Sequence, residues 1–209
     1  MILVEPKPTC DKEMEIAIVV ETSDKTKDPK ELKKIVKEIL DKYTLSPEKT
    51  RVTVIQYGKT PEVIEPLDKN TPKDKLVENI EERPPMGGEP SLDKALELAN
   101  KTLFEESPRK YVPKVIYVVK TDEPPTPEEK KKVPEIAKKL KDEHVGIVTV
   151  TVGEKAEKPE NKEFLKEVAS KPKYVVTAKT PDELVEEPKK LNEVVQEACV
   201  KRKYLCLRN

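Results

Sequence analysis

Ile16-Ala-Ile-Val-Val20 runs directly into Glu21-Thr-Ser-Asp-Lys25, and that junction decides the fold. Five consecutive apolar, mostly β-branched residues form a strand buried on both faces, as in parallel sheets. A polar loop at the C-terminal end of such a strand is where open α/β sheets place their ligand sites. This loop reads as a hydroxyl-and-carboxylate metal motif in which two members have been replaced.

Working outward, strands and helices alternate. Glu15 to Val20 is the first strand, and Asp28-Pro29 is an N-cap followed by proline at the first helical position. Leu32, Ile35, Val36, Ile39 and Leu40 then form the i, i+3, i+4, i+7, i+8 stripe of a helix that faces a sheet. Arg51 to Tyr57 alternates as a second strand. The short turn Gly58-Lys-Thr60 leads into a third at Glu62 to Leu67, so the two form an antiparallel hairpin. Pro61 and Pro66 put this third strand at the sheet edge, because proline cannot donate to an inner ladder.

Thr71-Pro72 opens a second helix, which the Pro84-Pro-Met-Gly-Gly88 loop ends, and Ser91 caps a third. Lys114 to Val119 is a central fourth strand. Thr126-Pro127 starts a fourth helix that Pro134 kinks or restarts. Val145 to Val152, a short helix at Phe164 to Ala169, and Tyr174 to Ala178 follow. A last helix from Thr180-Pro181 is interrupted near Pro188 and reaches Cys199. The predicted fold class is α/β: a doubly wound, mostly parallel six-stranded sheet with one antiparallel edge strand and helices on both faces. Residues 1–209 read as one domain with its core at about 14–199.

Composition narrows the function classes. Lys+Arg and Asp+Glu are both 41, so net charge gives no support to nucleic-acid or membrane-surface binding. No run of 18 apolar residues exists to span a bilayer. Met1-Ile-Leu-Val-Glu-Pro-Lys-Pro8 lacks the basic start and the length of a signal peptide. Mixed runs such as Glu128-Glu-Lys-Lys-Lys132 read as solvated helix faces. Average usage is about 7% Gly and about 5% Pro, yet this chain has 5 Gly against 20 Pro and no Trp. That skew fits a sequence chosen for propensity and surface charge, a designed or redesigned protein. Lys/Glu enrichment in an extreme thermophile gives a similar profile.

The colinear set Ile16–Lys25, Arg51-Val-Thr-Val-Ile-Gln-Tyr57, Gly87-Gly88 and Val118-Val-Lys-Thr-Asp122 resembles a von Willebrand factor type A (vWA) domain over nearly the whole chain. Cys10, Cys199 and Cys206, with Pro6-Lys-Pro8 and Gln56-Tyr-Gly58, look most like the third A domain of von Willebrand factor. Ser23-Asp-Lys25 reads more like the second.

The resemblance implies a loop of the form Asp-x-Ser-x-Ser. A Thr or Ser before the third helix and an Asp after the fourth strand complete a set of hard oxygen ligands for Mg²⁺ or Mn²⁺. Here Glu21 stands for the first Asp, Ser23 is kept, Lys25 replaces the second Ser, Ser91 is the nearest hydroxyl before the third helix, and Asp122 is kept. An ammonium about 4 Å from a divalent cation repels it by several kcal/mol at intermediate dielectric. Lys25 is therefore expected to replace the cation by pairing with Glu21, Asp24 or Asp122, or else to swing into solvent. The resemblance also implies a disulfide between Cys10 and Cys199, with Cys206 as the odd thiol, and an extracellular setting.

Other chemistries find little support. His144 ends a helix, where a cation is favoured, and one His with no Cys-x-x-Cys pair makes a poor zinc or Cys/His site. Gly87-Gly88 is not a dinucleotide fingerprint. The chain thus reads as a non-enzymatic, monomeric vWA-like scaffold or interaction module with a degraded metal site and no cofactor. The alternative is a metal-dependent adhesion domain that uses Ser23, Ser91 and Asp122 to bind collagen or an acidic protein. Collagen binding is implied for the parent type, through the face around the edge strand. With no aromatic anchor in Pro61-Glu-Val-Ile-Glu-Pro66 and Ile64 at an acidic position of that type, weak or lost affinity is expected.

Overall fold

The computed structural model describes residues 10–186 and 189–200. Its first strand, β1 (Met14–Glu21), is buried along its full length, because it lies between two parallel partners. One is β2 (Thr50–Tyr57), in register Val20↔Gln56. The other is β4 (Lys114–Thr121), in register Val20↔Val119. The second strand also pairs antiparallel with β3 (Pro61–Glu65), as the short Gly58-Lys-Thr60 turn predicts, and β3 is an edge strand, as the proline pair predicts. On the far side lie β5 (Gly146–Val152) and β6 (Val175–Ala178), both parallel. The order β3-β2-β1-β4-β5-β6 reverses direction between β1 and β4, and the crevice for a ligand lies at such a switch point.

Alternation along the strands sends side chains to two layers. Ile16, Ile18, Val20, Val115, Tyr117 and Val119 pack against α1 (Pro29–Asp41), α2 (Lys73–Glu82), α6 (Pro181–Glu186) and α7 (Lys189–Val200). Ala17, Val19, Ile116 and Val118 pack against α3 (Leu92–Lys101), α4 (Pro127–Asp142) and α5 (Pro159–Val168). The expected signals start α1: Asp28 accepts from the Lys30 N–H at 2.9 Å, and Pro29 opens the first turn. Thr126 and Glu129 make a reciprocal capping box on α4.

Several boundaries move for local reasons. β3 begins at Pro61 rather than Glu62 and stops at Glu65, since Pro66 has no N–H to extend the ladder. Leu67 is buried just beyond it. α4 continues through Pro134, which removes one backbone hydrogen bond without ending a helix anchored by buried Val133, Ala137 and Leu140. α5 starts at Pro159, five residues before the expected position, and Ala169 is its extended C-cap rather than a helical residue. The expected break near Pro188 falls outside the described residues, between α6 and α7, and Cys206 lies outside them too. Among the described residues, no helix is long and apolar enough to cross a membrane.

The structure forms the disulfide between Cys10 and Cys199, with Cα atoms 5.8 Å apart and a sequence separation of 189. Cys10 is fully buried and makes a parallel bridge with Tyr43 just before β1, so the bond joins α7 to the sheet's N-terminal edge.

Candidate functional site at the C-terminal edge of the sheet

At the end of β1 the chain leaves the sheet through Glu21, which is 1% exposed. Both of its carboxylate oxygens are engaged. Oε1 accepts from Ser23 Oγ at 2.6 Å, and Oε2 accepts from the Thr121 N–H at 3.1 Å and Thr121 Oγ1 at 3.2 Å. Ser23 Oγ in turn accepts from the Lys25 N–H at 3.1 Å. The loop is thus closed by its own hydrogen bonds. It is also stitched to residues 86–88: Thr22 Oγ1 accepts from the Met86 N–H, the Gly87 N–H donates to Thr22 O, and the Asp24 N–H donates to Gly88 O. Gly87 and Gly88 have φ of 65° and 72°, the left-handed region that suits glycine.

The other expected ligands are placed apart from this loop chemistry. Ser91 stands at the N-cap of α3 but makes no side-chain cap bond. Its hydroxyl lies 2.8 Å from Gly58 O and 2.9 Å from Lys59 O, turned to the β2–β3 connection. Asp122 is committed to the β5–α5 loop. Its Oδ2 accepts from the Lys155 N–H at 2.6 Å, and its carbonyl accepts from Asn161 Nδ2 at 2.6 Å. Lys155 also pairs with Glu123 at 2.8 Å.

Lys25 does not replace a cation inside the loop. Its side chain is exposed and its Nζ lies 3.5 Å from Glu89, itself exposed. Of the two outcomes open to a long flexible side chain, it takes the solvated one.

The buried cation of this region is Lys120, which sequence reasoning passed over. It is 5% exposed, and its Nζ donates to Thr121 O at 2.8 Å and Glu123 O at 3.0 Å. Desolvation lowers its pKa, opposed by the charges of Glu21, Glu129, Asp122 and Glu123. Glu129 corrects a second expectation, since it is no solvated helix face. It is 2% exposed, with Oε2 accepting from the Thr126 N–H at 2.9 Å. Burial raises its pKa first, against the Thr126 N–H and Lys120, which lower it.

As placed, these side chains are turned to partners within the protein rather than towards one shared point. The oxygens of Glu21 and the hydroxyls of Ser23 and Ser91 are bound within the protein, and a lysine occupies the second serine position. Among the described residues, no group of three or more His, Cys, Asp or Glu has the geometry to hold a metal. Beside the loop lies a crevice of about 320 Å³. Lys25, Lys27, Lys155 and Lys179 line it against Asp28, Glu31, Asp122 and Glu154, so its formal charges cancel.

The family model for the von Willebrand factor type A domain matches residues 15–190. The chain belongs to the vWA family. No curated protein matches it in sequence. Among solved structures, this vWA domain is similar to proximal thread matrix protein 1 from the mussel byssus with a zinc-occupied MIDAS motif. The TM-score is 0.73 and the identity 25%, over 91% of this chain and 46% of that one. The manganese-loaded Plasmodium vivax TRAP protein aligns with TM-score 0.67 and 18% identity, over 85% of this chain and 72% of that one. BatB from Bacteroides thetaiotaomicron aligns with TM-score 0.62 and 14% identity, over 88% and 98%. The last two likenesses speak to fold alone. The chain spans less than half of the mussel protein.

Proposed function

We propose that this vWA domain is a non-enzymatic scaffold or protein-interaction module whose adhesion loop is held without a divalent cation. The observation that carries this reading is the Glu21 carboxylate, both of whose oxygens already accept within the protein, from Ser23 Oγ and from the N–H and hydroxyl of Thr121. A metal would have to displace those bonds and tolerate Lys25 at the second serine position. The balanced charges of the neighbouring crevice add no attraction for an acidic ligand. His144 stands just before β5, at the sheet's other edge, away from this crevice. We treat the chain as one monomeric domain without a cofactor, extracellular in type and redesigned for stability, in keeping with its 5 Gly and 20 Pro. The finer likeness to the third A domain of von Willebrand factor rests on the cysteine spacing and Gln56-Tyr-Gly58.

The experiment is thermal unfolding with and without millimolar Mg²⁺ or Mn²⁺. The melting temperature is expected to stay unchanged. A clear rise that Asp122→Ala abolishes would overturn the reading.

A metal-dependent adhesion domain is the second reading. It is favoured by the retained Ser23 and Asp122 and by the zinc-occupied MIDAS motif of the mussel protein. Collagen would be its partner by family type. On β3, however, Ile64 is buried in the core and Glu62 pairs with Arg83, so this edge offers no aromatic anchor and only half-buried Val63 beside them. A plate assay on fibrillar collagen is expected to show weak or no binding, and tight binding would favour the second reading.

A further inference from the structure

Beneath the loop, buried polar groups gather on the face of the sheet that α3 and α4 cover. Val19 and Val118 both pack there. Two residues further along each strand, Glu21 and Lys120 follow on that same face, one step past the Val20↔Val119 pair. Tyr57 shares the face from β2, opposite Glu21. Glu129 is buried in the first turn of α4, one of the helices that cover this face.

The hydrogen bonding of this group is incomplete in a telling way. An ammonium has three donors, and Lys120 gives two to the carbonyls of Thr121 and Glu123. Carbonyls satisfy donors but do not cancel a charge. Tyr57 Oη is buried without a hydrogen-bond partner, and Glu129 Oε1 is buried near the Leu92 N–H without closing a hydrogen bond to it. Two carboxylates that are almost wholly out of water, on one face, repel each other and require a counter-charge.

We propose that Lys120 is the built-in cation of this site, a fixed positive charge set inside the sheet that offsets part of the negative charge of Glu21 and Glu129. This rests on the cation-free reading above and names the residue that makes it workable. Lys120 acts as a positioning residue: it stands beside Glu21 on the same face, where its charge favours the carboxylate arrangement that accepts from Ser23 and Thr121. The electrostatic influence of Glu21 and Glu129 on Lys120, and of Lys120 on Glu129, agrees with this placement.

The test is a charge cycle read by thermal unfolding in the intact chain: Lys120→Met, Glu129→Gln and the double variant. Gln at 129 still accepts from Thr126, so the capping box survives. Lys120→Met is expected to lower the melting temperature by roughly 10 °C, the loss typical of breaking a buried charge pairing. Adding Glu129→Gln in that background is expected to recover about half of the loss, much more than it gains in the parent. Equal gains from Glu129→Gln in both backgrounds, or an unchanged Lys120→Met, would overturn the proposal. If Lys120→Met does not fold, folding of the double variant supports it. A double variant that also fails, while Glu129→Gln folds, overturns it. A Mn²⁺ response of the unmodified protein bears on the cation-free reading alone, and an uncoupled cycle on Lys120 alone.

Discussion

Lys114 Nζ donates to Glu15 Oε2 at 2.7 Å, with both side chains buried, at the opposite end of β1 from the candidate site. The other oxygen of Glu15 accepts from Ser107 Oγ at 2.6 Å and Arg109 Nε at 3.2 Å. Arg109 goes on to donate to Lys49 O and Met14 O. One carboxylate thus ties the 107–113 connection to the starts of β1 and β4.

Glu15→Gln is therefore expected to destabilise the fold by about 3–5 kcal/mol, because it removes the anion that faces buried Lys114 and half-buried Arg109. Denaturant unfolding measures it. A loss under about 1 kcal/mol would mean that the network relaxes around the change.

Reduction is expected to lower the melting temperature clearly. The 189-residue separation of Cys10 and Cys199 corresponds to about 5 kcal/mol of loop-closure entropy in the chain model. Comparing thermal unfolding with and without reductant, with peptide mapping under non-reducing conditions, checks both the effect and the pairing.

Gly58→Ala is expected to cost about 1–3 kcal/mol. A Cβ at Gly58 would sit 2.0 Å from Gly87 O, which is backbone and cannot swing aside. Because Lys59 N–H donates to Gly87 O and Gly87 N–H to Thr22 O, faster hydrogen exchange at Lys59 and Gly87 should accompany the loss.

Glu129 sets a pH dependence. Its raised folded pKa means that the folded state holds this proton more tightly than the unfolded chain does. Its contribution is thus fully present below about pH 4.5 and is lost as pH rises through the folded value. The melting temperature of Glu129→Gln relative to the parent should therefore climb from pH 4.5 towards neutrality and then level off. A difference that stays flat over that range would count against a raised carboxyl.

The fold was legible wherever a local signal carried it. Pro61 and Pro66 marked the edge strand, the apolar run before Glu21 marked a central one, and Asp28-Pro29 marked the start of a helix. The site was less legible because its outcome depends on directions that neighbours in space impose. Ser91 looks like a ligand or a cap until the β2–β3 connection claims its hydroxyl. Lys25 had two rotameric outcomes, and sequence does not choose between them. Lys120 did leave a trace: it follows Val118 by two residues, which puts it on an inward-facing strand position where an apolar side chain is expected. Glu129 also had one, at the third residue after Thr126, where a capping box turns the acid back onto the helix end.

The Cys10–Cys199 bond also changes how the domain bears force. A pull applied outside these two residues passes through the covalent bridge, and the strands between them carry none of it. Lys120, Glu21 and the loop around Ser23 would keep their arrangement under tension. Cutting the bridge would place the sheet itself in the load path.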